Sequence, residues 1–364
     1  MSIHSRGNNS TTVLLTGSTG TFGKFLAREL LVYNELNLIL LVRGTSQEDT
    51  RARAQESLGI QSDRVEVFHS DLLKDHLGLS ESEYSDIMGR VTHILHAAAS
   101  IRFNLPLGEA RLSNVKTTEN ILSFVADCPR LTRFGFVSTA MVAGKRSGLI
   151  MESEFEHTAG FKNTYEQSKY EAEALVRANA EKFPVVIFRP PLIITPVSSE
   201  NLGGPVNFLE LATSLVARGR LPFIPGSEKS TVDVVNGVDA ARRMCELMLK
   251  ERLSHTTYHI TNGIKAPTVR VIHTLMEQRF GRAIPLEFCG DMEAFMRRVR
   301  EVPWYRPAMR IAYKRTASFL PEAAYPKVFD NRNTLSELHI TRIGEDPADT
   351  LRLVFQGGLW KFSA

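Results

Sequence analysis

The stretch TVLLTGSTGTFG, residues 12–23, decides the fold of this chain. Thr12–Thr16 is a short unbroken run of apolar and β-branched residues, which is typical of a strand buried on both faces. A glycine ends the run, and the helical pattern of Phe22–Tyr33 follows. A glycine-rich turn between a strand and a helix is the setting in which such a motif predicts the binding of dinucleotide phosphates.

Each glycine of this turn has its own physical role. Gly17 permits a tight turn, Gly20 lets the backbone approach a pyrophosphate, and Gly23 lets the helix pack closely on the strand. Free backbone N–H groups at the start of the helix would point at the phosphates, helped by the helix dipole. We therefore predict a cofactor-binding turn made of Gly17, Ser18, Thr19, Gly20, Thr21, Phe22 and Gly23. An ordinary glycine-rich connection is the alternative.

Further short apolar runs alternate with helical patterns along the chain, which predicts an α/β fold with a doubly wound parallel sheet. These runs are Leu38–Val42, Val65–Phe68, Val91–His96, Phe134–Val137 and Val185–Phe188. The helical patterns that matter for the site are Asn114–Val125 and Tyr165–Asn179. We expect a Rossmann domain over residues 10–262, with a substrate-region insertion at about residues 195–230, and a smaller C-terminal substrate-binding region over residues 263–364.

The composition is that of a globular protein with an ordinary core. The chain has 364 residues, of which 43% are hydrophobic, and its net charge of +4 is too small to predict binding of nucleic acid. The three cysteines lie far apart and no Cys or His has the spacing of a metal site, so we predict no metal. Neither a signal-peptide pattern nor a transmembrane segment is found, and we expect a cytoplasmic protein.

The residues after the second, third and fourth strands predict how the dinucleotide is bound. Sites that prefer NAD usually have Asp or Glu after the second strand, whereas this chain has Arg43, whose guanidinium can pair with a 2′-phosphate. We therefore predict NADPH (NADP), with Arg53 as a second contact; a solvated loop arginine is the alternative. Asp71, beside Leu72, can accept from the adenine amino group. Small residues after the fourth strand would let the cofactor lie against the backbone, and these are Ala97, Ala98 and Ala99.

Tyr165 and Lys169 lie four residues apart in a helical pattern and therefore share one face of a helix. We expect the nearby ammonium to lower the pKa of the phenol, so that Tyr165 can donate a proton to a developing alkoxide near neutral pH. Ser138 and Thr139 directly follow the fifth strand, where a hydroxyl can hydrogen-bond a substrate oxygen. These four residues form the predicted catalytic set, and Lys169 can also hold the nicotinamide ribose.

Together these motifs resemble the extended short-chain dehydrogenase/reductases, and most of all their thioester reductase and fatty acyl-CoA reductase branch (the male-sterility type of NAD-binding protein). The similar stretches are LLTGSTGTFG, LVRG, HAAASIRFNLPL, NVKTTENIL, FVSTAMVAG, GFKNTYEQSKYEAEALV, RPPLII and LPFIPG. The resemblance covers nearly all of residues 12–262. It implies that Asn114 stands in the helix behind the site and that the segment from Pro190 to Ile193 lines the nicotinamide.

The resemblance implies reduction of an acyl thioester, bound to CoA or to an acyl carrier protein, to an aldehyde; a second reduction to the alcohol stays open. Two other functions stay open: an oxidoreductase or epimerase acting on a free ketone, aldehyde or nucleotide sugar, and a non-catalytic NADP-binding scaffold. A basic run at residues 297–315 could bind CoA phosphates, an acidic carrier protein or a lipid surface, or simply be solvated. The chain differs from this branch of the family at position 141, where it has Met141 and an aromatic residue is common in the branch.

Overall fold

The computed structural model describes residues 11–59, 62–195, 208–303 and 305–355. Its strands are β1 (Thr11–Thr16), β2 (Leu36–Val42), β3 (Val65–His69), β4 (His93–His96), β5 (Arg133–Val137), β6 (Gly148–Ile150), β7 (Val185–Arg189), β8 (Leu192–Ile194), β9 (Phe223–Ile224), β10 (Val234–Asn236), β11 (Thr257–His259), β12 (Glu287–Phe288) and β13 (Lys327–Phe329). Its α-helices are α1 (Gly23–Leu31), α2 (Gln47–Leu58), α3 (Glu81–Arg90), α4 (Leu107–Arg111), α5 (Thr117–Asp127), α6 (Thr164–Ala178), α7 (Phe208–Ala217), α8 (Gly237–Leu249), α9 (Val269–Phe280), α10 (Met292–Arg300), α11 (Pro307–Thr316), α12 (Arg332–Leu338) and α13 (Pro347–Val354).

A seven-stranded sheet in the order β11-β7-β5-β4-β1-β2-β3 forms the centre of the fold. Every pairing in it is parallel. All six predicted strands belong to this sheet, so the predicted α/β Rossmann fold is confirmed. The chain order reverses between β1 and β4, and open α/β sheets bind their ligands at such a switch point, beyond the carboxyl ends of the strands.

Helices cover both faces of the sheet because its strands are apolar on both sides. On one face α1 and α8 contribute Leu26, Leu30 and Met244 to a core with the strands. On the other face α5 and α6 contribute residues such as Phe124 and Val176 to a second core. The sheet is therefore closed off except at its ends, where the loops that carry the site emerge.

A third core lies outside the sheet and is built by α7, α9, α10, α11 and α13. It includes Leu215 of the predicted insertion together with Phe295, Tyr313 and Leu351 of the predicted C-terminal region. The parallel pairs β6–β13 and β9–β12 also join early and late parts of the chain. Residues 196–207 of the insertion lie outside the described residues, and the domain boundary at residue 262 stays a prediction.

The elements that the sequence did not predict include β11 and α7. The edge strand β11 was not predicted because it is only three residues long, Thr257–His259, with no apolar run. The helix α7 was not predicted because Phe208–Ala217 lies between glycine- and proline-rich stretches and is buried along most of its length, which removes the amphipathic period. Among the described residues, none of the helices combines the length and apolarity needed to cross a bilayer.

Candidate active site

The glycine turn packs directly against the end of β4, at the switch point of the sheet. Gly17 has φ +79°, and a Cβ there would lie 2.7 Å from the backbone nitrogen of Ala98. A Cβ at Gly23 would overlap the Gly17 carbonyl, and the Gly20 N–H donates to that same oxygen over 3.0 Å. The turn thus requires glycine at positions 17 and 23 for the reasons predicted, namely a left-handed backbone and close packing of helix on strand.

The residues at this turn fit the phosphates of a dinucleotide. Phe22, which precedes α1, has no side-chain capping hydrogen bond, so the first N–H groups of the helix are not capped by it. The Ser18 hydroxyl is buried and has no hydrogen-bond partner among the described residues. An unpartnered buried hydroxyl beside a helix N-terminus is what an anionic group would satisfy.

Arg43 is exposed immediately after β2, and its contact with a 2′-phosphate stays a prediction. Arg53 of α2 donates from its guanidinium to the Arg43 carbonyl, so in this structure it holds the loop. The Asp71 carboxylate accepts from the N–H of Leu73 over 3.1 Å, and Asn120 donates to the carbonyl of Leu72 over 2.8 Å. These contacts keep the loop after β3 in place, and direct contact with adenine stays a prediction.

The ends of β1 and β4 are joined by a buried histidine. Thr16 Oγ1 lies 2.7 Å from His96 Nδ1 and accepts from the N–H of Ala98 over 3.2 Å. Burial, and then the charge of Lys169, lower the pKa of His96 to about 3, so the ring is neutral at physiological pH. Thr16 therefore holds the backbone of the predicted cofactor segment and is itself bound to His96. Ala99, the next small residue, is exposed.

Helix α6 brings Tyr165 and Lys169 to the end of β5. Asn163 caps the helix by accepting from the N–H of Glu166 over 2.9 Å. Lys169 Nζ donates to the carbonyl of Val137 over 2.8 Å and lies 4.3 Å from the ring centre of Phe136. The Tyr165 hydroxyl lies near the side chain of Thr139, whose hydroxyl acts to lower the tyrosine pKa. The structure thus brings the predicted residues Thr139, Tyr165 and Lys169 together beyond the carboxyl end of β5.

Burial controls the pKa values of this pair. It raises the pKa of Tyr165 to about 12, against a smaller lowering by the Thr139 hydroxyl. It also lowers the pKa of Lys169 to about 7. The expectation that the lysine lowers the tyrosine pKa is therefore wrong for this structure, because desolvation outweighs any attraction between the two groups. A phenol that stays protonated at neutral pH can still act as a proton donor.

Ser138 faces away from these residues. Its hydroxyl donates over 2.5 Å to Glu173, a fully buried carboxylate that also pairs with Arg189 over 2.6 Å. The Thr139 hydroxyl instead donates over 3.4 Å to the carbonyl of Pro190, which also accepts from the N–H of Ala140 over 2.8 Å. The two neighbouring hydroxyls thus have different surroundings, and that of Thr139 lies near Tyr165.

Asn114 connects the loop after β4 to helix α6. It lies in a π-helical turn over Leu112–Lys116, an arrangement that is frequent at functional sites. Its Oδ1 accepts from the N–H of Ser100 over 2.7 Å, and its Nδ2 donates to Ser168 Oγ over 2.9 Å. Asn114 therefore supports α6 from behind, as the resemblance implies. Ile193, of the segment after Pro190, is half-buried in β8.

A row of aromatic rings, which the sequence reasoning missed, leads away from Tyr165. Phe103 packs on Tyr165 with ring centres 5.2 Å apart, Phe208 stacks on Phe103 at 4.4 Å, and Phe319 packs on Phe208 at 5.1 Å. Phe103 stands within the HAAASIRF motif, which could have drawn attention to it. The other two come from distant parts of the chain and share no spacing that would reveal them.

The sequence profile of the male sterility protein family, an NAD-binding domain, matches residues 15–244. The chain belongs to this family. It is 30% identical over 237 residues to the fatty acyl-CoA reductase wat of Drosophila melanogaster, an alignment that covers 53% of this chain and 46% of that protein. The chain therefore spans less than half the length of this relative.

Solved structures with the same fold include a reductase domain and an epimerase. The terminal R domain of the myxalamid PKS-NRPS pathway superposes with a TM-score of 0.76 at 22% identity, covering 96% of this chain and 90% of that one. A UDP-glucuronic acid 4-epimerase from Bacillus cereus has a TM-score of 0.66 at 16% identity, covering 95% of this chain and 98% of the other. These matches and the family confirm the predicted fold, the predicted resemblance and a nicotinamide dinucleotide as cofactor.

Among the residues that the structure describes, no cluster of three or more His, Cys, Asp or Glu could hold a metal ion. His157 Nε2 lies 2.8 Å from the carbonyl of Val142.

Proposed function

We propose that this chain is an NADPH-dependent reductase that converts acyl thioesters to aldehydes. The observation that supports the proposal most strongly is the half-buried Tyr165 side chain, which lies near Thr139 and one helical turn from the buried Lys169. The glycine turn at the switch point, Asn114 and the Pro190–Ile193 segment would hold the dinucleotide beside it. The family, and relatives named as a fatty acyl-CoA reductase and an R domain, support this class of substrate.

Thr139 and Tyr165 have separate roles in the proposed reaction. The dinucleotide, when bound, supplies a hydride to the carbonyl carbon. Thr139 donates a hydrogen bond to the carbonyl oxygen and orients it, and Tyr165 transfers its proton to that oxygen as negative charge develops there. The product is a hemithioacetal; its C–S bond then breaks, its O–H proton leaves with the thiolate as a free thiol, and an aldehyde remains.

Lys169 has its role after the proton has left Tyr165. A phenolate in a buried corner is costly, and an ammonium one helical turn away offsets part of that cost. Because the pKa of Lys169 is about 7, the amine can carry that charge at neutral pH. We assign the catalytic hydroxyl to Thr139 and not to Ser138, because the Ser138 hydroxyl is already bound to Glu173.

Arg43 supports NADPH as the preferred dinucleotide. It is exposed at the end of β2, where its guanidinium can pair with a 2′-phosphate. We expect Arg43→Ala to raise the KM for NADPH about 10-fold or more, since a charge-assisted hydrogen bond contributes roughly 1.5–3 kcal/mol, and to leave the KM for NADH within about 2-fold. Equal effects on both coenzymes would contradict the assignment.

We further propose that the acyl group arrives on an acidic carrier protein in the cytoplasm. Arg300, Arg310, Lys314 and Arg315 of the basic run are exposed, whereas Arg297 and Arg298 are paired with Glu293 and Glu287. Trp304, in the same run, lies outside the described residues. The aromatic row would accept the apolar acyl group near Tyr165.

The experiment that tests the function is an assay of NADPH oxidation together with free thiol and aldehyde. Substrates are an acyl carrier protein, acyl-CoAs, free aldehydes and ketones, and UDP-sugars. We expect one thiol to be released for the first NADPH consumed. We expect this reaction with the thioester substrates and not with the free carbonyl compounds or UDP-sugars. Carbonyl reduction without thiol release, or sugar epimerisation without net NADPH consumption, would support the other enzyme classes instead.

A further inference from the structure

Four charged side chains are buried together behind Tyr165, and we call them the charge quartet: Lys162, Glu166, Glu322 and Lys327. Lys162 Nζ lies 3.0 Å from Glu166 Oε1 and 2.9 Å from Glu322 Oε2, while Lys327 Nζ lies 2.9 Å from Glu322 Oε1. The side chains of Lys162, Glu166 and Lys327 are 2–3% exposed and that of Glu322 is 21% exposed. The four charges sum to zero.

The charge quartet joins the segments that carry the catalytic groups to the C-terminal part of the chain. Lys162 Nζ also donates over 2.8 Å to the carbonyl of Gly144, at the end of the turn that begins at Thr139. Lys162 and Glu166 flank Tyr165 at the start of α6, and Glu322 and Lys327 belong to the segment that leads into β13. One buried cluster therefore sets how the Thr139 turn and the Tyr165 helix lie relative to each other.

The rest of the α6 start is held in the same way. Asn163 Nδ2 donates to the carbonyl of Ser318 over 3.0 Å, and Thr164 Oγ1 donates to the carbonyl of Leu105 over 2.8 Å. The backbone N–H of Lys162 donates to Glu166 Oε2 over 3.0 Å. Tyr165 is thus flanked on both sides by residues bound to other elements, so its ring has little freedom to move from Thr139.

Electrostatics makes the charge quartet sensitive to the loss of any member. Burial pushes the pKa of Lys162 down, but Glu322 and Glu166 outweigh burial and the net shift is upward. Burial raises the pKa of Glu322, but Lys327 and Lys162 outweigh burial and lower this pKa to about 2. Removing one charge from such a set leaves another buried and uncompensated, which is more damaging than losing the whole pair.

We propose that Glu322 is a positioning residue for catalysis: by balancing the charges of Lys162 and Lys327 it keeps Lys162 paired with Glu166, and so holds the start of α6 with the Tyr165 side chain near Thr139. This inference rests on the proposed function for its kinetic consequence, but its structural consequence can be measured separately. In this proposal residues 318–327 support the active site, although none of them needs to contact the reacting atoms. Displacement of a catalytic group by about 1 Å is enough to reduce a rate by up to about 100-fold.

The test uses Glu322→Gln, which keeps the shape of the side chain and removes its charge. We expect kcat to fall about 10-fold while the KM for NADPH changes less than 2-fold. The matched control is Glu337→Gln, which breaks a comparable pair with Lys250, 2.7 Å apart and 5% exposed at the glutamate, away from Tyr165. It should lower the melting temperature but leave kcat within 2-fold.

A second variant keeps the test decisive if Glu322→Gln folds poorly. In Glu322→Gln/Lys327→Met the second buried ammonium is also gone, so Lys162 and Glu166 remain as a neutral pair. We expect this double variant to recover most of the melting temperature and at least a third of the wild-type kcat. If the double variant regained the melting temperature but lost as much kcat as the single variant, the proposed positioning through charge balance would be overturned.

An NMR measurement separates this inference from the proposed function. The ¹³Cζ signal of Tyr165, assigned with Tyr165→Phe, reports the environment of the phenol without substrate or cofactor. We expect it to move in Glu322→Gln, to return toward wild type in the double variant and to stay in place in Glu337→Gln. An unmoved signal in Glu322→Gln overturns the inference, whether or not the wild-type protein reduces thioesters.

Discussion

Tyr165 and Lys169 share a desolvated corner, and burial favours the neutral form of both residues. The pKa of Tyr165 rises to about 12 and that of Lys169 falls to about 7. A reductase needs the phenol to be protonated before the reaction and its anion to be tolerated afterwards. The first condition is met by burial, and the second by Thr139 and by the ammonium form of Lys169.

The YxxxK spacing alone predicted the pair of Tyr165 and Lys169. It did not predict the direction in which the tyrosine pKa shifts, because spacing carries no information on burial.

The lowered pKa of Lys169 predicts a pH dependence of stability. Between pH 7 and 10.5 the unfolded chain protonates this amine whereas the folded protein does not, so the unfolded state binds more protons and stability rises with pH. Lys169→Met removes this contribution. We therefore expect the variant to gain more free energy of unfolding over wild type at pH 7 than at pH 9.5, measured by urea denaturation without cofactor.

The control for this experiment is Lys116→Met, since the side chain of Lys116 is 50% exposed. Its difference from wild type should be small and nearly the same at both pH values. A Lys169→Met difference that is also independent of pH would show that the amine titrates normally in the folded protein.

At the level of elements, α6 accounts for the most discriminating motif of the sequence, FxNxYExSKxEAE. Asn163 caps the helix, Glu166 belongs to the charge quartet, Ser168 accepts from Asn114, and Glu173 binds Ser138 and Arg189. Each polar position of the motif that faces the protein is thus bound to a different element. The sequence allowed the helix and its Tyr and Lys to be predicted, but not these partners, because they lie up to 155 residues away in the chain and leave no periodic signal.

The glycine turn gives a prediction at the same scale. Gly17→Ala places a Cβ against Ala98 in a left-handed backbone conformation, which we expect to cost about 1–3 kcal/mol of stability and to abolish detectable NADPH binding. Gly89→Ala is the matched control, because Gly89 lies in α3 with nothing within 4 Å of the added methyl. It should be neutral or stabilising by up to about 1 kcal/mol. Calorimetric titration with NADPH, and thermal melting, measure both effects; equal binding by both variants would contradict the assignment of this turn.

For the whole molecule, the sequence predicted the architecture better than the substrate side of the site. Parallel strands that are buried on both faces appear in the sequence as local apolar runs, so six of the seven strands of the sheet could be predicted. The third core and the aromatic row are assembled from residues such as Phe103, Phe208 and Phe319, which only the folded chain brings together. For the same reason the charge quartet, with partners on both sides of residue 200, had no counterpart in the sequence-based predictions.

Charge is also distributed unevenly over the whole molecule. Residues 297–315 contain seven Lys and Arg against one Glu, a net charge of +6, whereas the whole chain carries +4, so the remainder carries −2. On α11, Arg310 and Lys314 are exposed and flank Ile311, which is 57% exposed. A basic surface with an apolar residue at its centre complements an acidic, partly apolar partner.

We therefore predict the effect of reversing two charges on this surface. Arg310→Glu/Lys314→Glu should raise the KM for an acyl carrier protein at least 10-fold, and raise it less at high salt, while leaving the KM for a short acyl-pantetheine within 2-fold. The control is Lys182→Glu/Arg252→Glu, an equal charge change at exposed positions near the starts of β7 and β11, the edge of the sheet opposite to the site. An equal rise in the KM for acyl-CoA would instead identify the surface as a site for CoA phosphates.

The most direct test of the account is the rate of hydride transfer in a single turnover by Tyr165→Phe, with NADPH and an acyl thioester. General acid catalysis of this kind contributes roughly 100- to 10,000-fold, so we predict a loss in that range, with the Kd for NADPH within about 3-fold of wild type. A variant that binds NADPH normally and transfers hydride within 3-fold of the wild-type rate would contradict the assignment of Tyr165 as the proton donor.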